Sequence, residues 1–120
     1  MRRITDPEKP LISWLLLAAG RNEQVEDLTV SEMDDGGMGN MTFGPAHEKR
    51  RFGQTIADCQ FVDKDGVTVI ASLNTDEKGQ LYELDVWKVD FNPLLVWPKI
   101  SDITETTPNP SFERTVFGVR

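Results

Sequence analysis

The chain has 120 residues, with 20 acids against 13 bases and a formal charge of −7. That is one domain's length, long enough to bury a continuous core, and its 38% of hydrophobic residues and three tryptophans argue against a disordered acidic tail. The charge argues against nucleic acid as a partner, since phosphate is bound through Lys and Arg, and favours a basic protein, whose approach an acidic surface accelerates.

The longest apolar run, "LISWLLLAAG" (11–20), is about half of the roughly 20 residues that a membrane span needs. It has the length of a signal-peptide core behind Arg2 and Arg3, but Asp6, Pro7, Glu8 and Pro10 intervene. A secretory leader does not normally carry acids there. The run reads instead as a helix. Thr5 with Glu8 fits a capping box, and Pro10 delays the start. Leu11, Trp14, Leu15 and Ala18 repeat at helical spacing, with Ile12, Leu16 and Ala19 widening the stripe, and Gly20 stops it. A helix apolar over so much of its girth is expected to lie on a sheet.

Five strand-like runs follow: 27–33, 39–44, 52–62, 66–74 and 80–91. The breaks "DDGG", "GPAHEK", "DKDG" and "NTDEKG" are turn chemistry, and links this short imply antiparallel neighbours. The expected fold is α+β: an N-terminal helix packed on a four- to five-stranded antiparallel meander, with an irregular C-terminal segment. Residues 1–97 read as the domain. Residues 98–120 read as an extension packed on it or partly extended, with "TVFGV" (115–119) a late strand or an apolar tail.

Two loops imitate ligand sites. "DDGGMGNM" (34–41) has phosphate-loop glycines, yet acids precede them and no Lys or Arg follows until Lys49. Glycines able to take positive φ in a hairpin explain it better. "NTDEKGQLYELD" (74–85) places Asn74, Asp76, Gly79 and Asp85 where a calcium loop has ligands and its glycine. Lys78, however, occupies a ligand position, and Asp replaces the closing Glu. "DKDG" (63–66) has its glycine too early for that pattern. No metal or other cofactor is expected. Neither is catalysis: the chain has one histidine, His47, and one cysteine, Cys59, which alternates with Ala57 and Phe61 on an apolar face. A single cysteine permits no internal disulfide and suits the cytoplasm.

The richest stretch is "LYELDVWKVDF" (81–91). Read with period two, Tyr82, Leu84 and Val86 face the core, while Leu81, Glu83, Asp85 and Trp87 share the other side. Asp58 and Gln60, alternating with the apolar face of the third strand (52–62), extend that second face. One account makes it a solvated flank, as one-sided sheets routinely have. The other makes it a binding patch, with an aromatic anchor ringed by acids.

"MRRITDPEKPLISWLL", "DDGGMGNM" and "DKDGVTVIASLNTDEKGQLYELDVWKVDFNPLL" together resemble a family of small bacterial proteins of unknown function, over about residues 1–96. No catalytic residue is established for that family, so the resemblance implies none. In size, acidity and expected architecture the chain is also similar to immunity proteins of contact-dependent growth inhibition and other polymorphic toxin systems. Those are small cytoplasmic proteins that each neutralise one cognate toxin domain, often a nuclease with a basic cleft. This second likeness is one of general character and not of shared motifs.

The sequence therefore leads to a non-catalytic, cytoplasmic binding protein, most concretely an immunity protein that covers the active site of a basic toxin such as a ribonuclease. Glu83, Asp85, Trp87 and Asp58 are the expected contacts, with Asp34 and Asp35 at a loop tip as second choices. Two alternatives stay open. One is a small metal- or ligand-dependent enzyme using the acids near the 34–41 turn with His47. The other is a homo-oligomeric structural protein joined through Trp97 and the tail.

Overall fold

The computed structural model describes residues 1–34, 36–45 and 49–106. Its elements are β1 (Arg2–Arg3), α1 (Lys9–Ala18), β2 (Thr29–Glu32), β3 (Met41–Phe43), β4 (Phe52–Val62), β5 (Thr68–Asp76) and β6 (Leu81–Lys88), with single turns of 3₁₀ helix at Asp6–Glu8, Val25–Asp27 and Ile100–Asp102. The capping box is present at Thr5 and Glu8, whose carboxylate accepts the Thr5 N–H at 2.9 Å. Pro10 follows one 3₁₀ turn and opens the α-helix proper. At the other end Gly20 takes φ +69°. The amides of Gly20 and Arg21 reach back to Leu17 and Leu16, closing a Schellman cap. The buried stripe is Leu11, Ile12, Leu15 and Leu16. Trp14 is half-buried, while Leu17 and Ala18 face solvent, so the helix is less enclosed than its composition suggests.

The architecture is α+β with one antiparallel sheet of six strands, in the order β1-β2-β3-β6-β5-β4. The expected four or five strands missed β1, whose two residues are too few to show any period. The sheet is also not a continuous meander, because β3 pairs with β6 and not with β4. The link 44–51 joins strands three places apart. Eight residues reach about 27 Å when extended, and three strand spacings are only about 14 Å, so a short link does not require adjacent strands. Arg50 fastens this link: its guanidinium donates to Asp76 Oδ2 at 3.0 Å and to the carbonyls of Phe43 and Leu81, and lies 4.9 Å above the Tyr82 ring.

One face of the sheet is covered. Helix α1 lies against β4 and β5, and Leu11, Ile12 and Leu15 join Val30, Met41, Phe61, Val69, Leu73, Leu84 and Val86 in a single core. Residues 93–104 complete the cover, with Leu94, Trp97 and Ile103 packed on that core. Asp63 and Lys88, both buried, hold this segment. Lys88 Nζ donates to Asp63 at 2.9 Å, Asp65 at 2.7 Å and the Pro93 carbonyl at 3.3 Å. Asp63 in turn accepts the amides of Leu95 and Val96 at 2.9 and 3.1 Å. The "DKDG" turn is thus the clasp of the C-terminal segment. Beyond it, Thr104 pairs with Gln60 through two backbone bonds of 2.8 and 2.9 Å on the outer edge of β4. The "TVFGV" run lies outside the described residues.

Candidate binding face

The opposite face of the sheet is the one that α1 and residues 93–104 leave open. Register places its side chains in rows across the strands. Asp58, Ser72 and Asp85 form one row and Gln60, Ile70 and Trp87 the next. Thr55, Asn74, Glu83 and Thr42 form a third. The structure therefore brings Asp58, Glu83, Asp85 and Trp87 onto one surface, as strand parity predicts. Leu81 does not join them. Thr75 pairs with Leu81 and Asn74 with Glu83, so Tyr82 is an extra, bulged residue that resets the parity. Leu81 turns into the core, and Tyr82, expected there, is half-buried beneath Arg50.

A polar rung supports the acids. Asn74 is 2% exposed; its side-chain oxygen accepts from Thr55 Oγ1 at 2.7 Å, and its NH₂ donates to Asp85 Oδ2 at 2.8 Å. Asn74, which the sequence offered as a calcium ligand, instead fixes the Asp85 carboxylate. Glu83 has no such help. Its burial and the neighbouring Asp85 charge raise its pKa above the ordinary glutamate value, against a weaker opposing pull from Arg50.

Beside the acids lies an apolar zone. Trp87 is 45% exposed and Phe91 69%, their rings tilted at 50° with centroids 6.1 Å apart. Val62 and Val89 are exposed with them, and Ile70 is half-buried between. Phe91 holds φ +63°, the one non-glycine residue with positive φ among those described. For a bulky side chain that is a strained conformation, and here a turn maintains it: the Phe91 amide donates to the Lys88 carbonyl at 2.8 Å, and Asn92 is tied to Asp90. Sequence reasoning missed Phe91, because "DFNP" signals a turn without telling which residue takes the left-handed position.

The remaining candidates separate from this face. Asp34 sits on the β2–β3 hairpin and lines a cavity of about 360 Å³ with Glu32, Arg2, Glu8 and Trp97. Arg2 already donates to both Glu8 oxygens and to Glu32 there. The glycines of this hairpin serve packing as well as the turn: Gly39, at φ +99°, leaves 2.8 Å between the site of a Cβ and the Trp97 ring. Trp97 is thereby half-buried within its own chain. Asp35 and His47 lie outside the described residues. Cys59 is buried, and burial, helped by the nearby Asp58 charge, pushes its thiol up to about 12. In the calcium-like loop, Asp76 spends its carboxylate on Arg50 and on the amides of Lys78 and Gln80. Among the described residues no three His, Cys, Asp or Glu side chains are grouped to hold a metal, and no helix is long and apolar enough to cross a membrane.

Comparison with curated proteins and with solved structures gives no match. A family match does exist, to a domain of unknown function, DUF6984, and it runs over residues 1–98. It takes in α1, all six strands and the first residues of the C-terminal segment, and on that extent the chain belongs to the DUF6984 family.

Proposed function

We propose that this chain is a non-catalytic binding protein whose partner is a basic protein docked on the open sheet face. The observation that carries the reading is the composition of that face: Asp58, Glu83 and Asp85 stand beside an exposed Trp87–Phe91 pair on a surface that no element among the described residues covers. Acids of this kind speed encounter with a basic surface, and buried aromatics set the dissociation rate. In its most concrete form the protein is an immunity protein. Its carboxylates occupy the cleft with which a toxin such as a ribonuclease holds phosphate, and Trp87 supplies the anchor.

The test begins with capture of the partner from native host extract at low and then high salt, followed by titration of that partner against variants. Asp58→Lys is the variant of choice, because the exposed Asp58 makes no side-chain hydrogen bond among the described residues. Asp85→Lys would also orphan the buried Asn74 NH₂. Asp58→Lys is expected to weaken the complex at least tenfold, about 1.4 kcal/mol, with an unchanged melting temperature. An Asp58→Lys protein that binds as tightly as wild type removes this face as the interface. Failure to retain any stoichiometric basic protein at high salt removes the immunity reading.

A further inference from the structure

At the far end of the sheet, where the β5–β6 turn meets the chain entering β4, lies a cleft of about 320 Å³. Its lining reverses the character of the molecule. Lys49 and Arg51 border it on one side and Lys78, from the turn, on the other. None of the three has an ion pair among the described residues, whereas Arg2, Lys9, Arg21, Arg50 and Lys88 all do. Asp76 and Arg50 also reach the cleft, but they neutralise each other at 3.0 Å. Among the described residues Glu77 remains as the single uncompensated carboxylate of the lining, so these side chains carry a surplus of two positive charges on a chain of net −7.

Hydrogen bonds tie the backbone around these cations together. Arg50 pins the incoming chain to Phe43, Leu81 and Asp76, and the Arg51 carbonyl accepts the Glu77 amide at 3.0 Å. Asp76 Oδ1 organises the turn by accepting from Lys78 and Gln80. The backbone amides at this turn are therefore spent internally, and any ligand must be held by the side chains of Lys49, Arg51 and Lys78. A guanidinium pairs bidentately with phosphate oxygens, and lysines add point charges around it. A surplus of positive charge at close quarters suits a multiply charged anion such as a phosphate ester or pyrophosphate.

We propose that this cleft binds a small phosphate-bearing anion, of the size of pyrophosphate or a sugar phosphate. The site is independent of the open sheet face, and neither reading requires the other. The experiment is thermal unfolding of the full chain with increasing pyrophosphate, against sodium chloride at matched ionic strength. The expected result is a saturable rise, about 5 °C at ten times the dissociation constant, that chloride does not reproduce. Arg51→Gln with Lys78→Gln is expected to abolish the rise, and Glu77→Gln to tighten binding several-fold, an effect that a purely structural role for these residues would not produce. No saturable rise in the wild type overturns the proposal. So does an equal rise in the Arg51→Gln/Lys78→Gln variant, which would place the anion at some other exposed cation.

Discussion

Glu83 gives the sharpest test of the open face. It sits two residues from Asp85 on the same side of β6, about 6.7 Å along the strand, and among the described residues it has no ion pair, only a weaker pull from Arg50 that burial and the Asp85 charge outweigh. Two like charges at that distance repel by about 0.6 kcal/mol in bulk water and about 2.5 kcal/mol at the effective dielectric of a protein surface. Salt at physiological strength roughly halves the exposed part. Glu83→Gln keeps the shape and removes the charge, so it should stabilise the isolated protein by about 1 kcal/mol at pH 7.5, or about 4 °C in Tm. The pH dependence has a fixed sign. A carboxyl whose folded pKa is raised takes up its proton more readily in the native state, so wild type gains stability as the pH falls through that pKa. The advantage of Glu83→Gln should therefore fade by pH 4 and shrink in 1 M salt. Differential scanning calorimetry of the two proteins at both pH values decides the matter. A Glu83→Gln protein no more stable than wild type at pH 7.5, or one whose advantage persists unchanged at pH 4, refutes the reasoning.

Four further outcomes are expected. Gly53→Ala should cost about 2–3 kcal/mol by chemical denaturation, because its Cβ would stand 2.1 Å from the Asp76 carbonyl oxygen; a loss below 0.5 kcal/mol contradicts the geometry. At position 91 the usual order of glycine and alanine should reverse, Phe91→Gly being more stable than Phe91→Ala by about 1 kcal/mol, since only glycine is unstrained at φ +63°. Lys88→Met should lower Tm on the order of 10 °C by stripping buried Asp63 of its counter-charge. Burial opposes the Lys88 charge, but Asp65 and Asp63 outweigh it and raise its pKa, so wild type should lose stability as the pH climbs past about 10.5 while Lys88→Met shows a shallower limb, left to groups such as Lys9. Cys59 should resist thiol reagents at pH 8 in the folded protein and react only on unfolding, as its buried, high-pKa thiol dictates.

Much of this fold is written locally. The capping box at Thr5 and Glu8, the stop at Gly20 and the alternation along β4 and β6 are short-range patterns, and from them the shared face of Asp58, Glu83, Asp85 and Trp87 followed. What escaped was decided by partners distant in sequence. Lys88 reads as one more surface charge until Asp63, 25 residues earlier, is seen to bury with it. The parity of Leu81 turns on a bulge at Tyr82 that no alternation reveals. The placing of β3 beside β6 is a contact across some 40 residues, and eight residues of linker fit an adjacent strand as readily as a distant one. The strain at Phe91 is invisible in composition, since any residue type is able to occupy a turn.

The pairing of Thr104 with Gln60 bears on where this domain can be cut. The family match ends at residue 98, yet Ile103 is buried in the core and Thr104 pairs with the edge of β4 at Gln60. A chain stopped at residue 98 would uncover the peptide groups of Gln60 beside an apolar stretch that includes Cys59, Phe61 and Val62. An open strand of that kind is a template for another chain. Such a truncation would keep every residue of the family match and still be more prone to aggregate, because the pairing that covers edge strand β4 at Gln60 lies beyond the match.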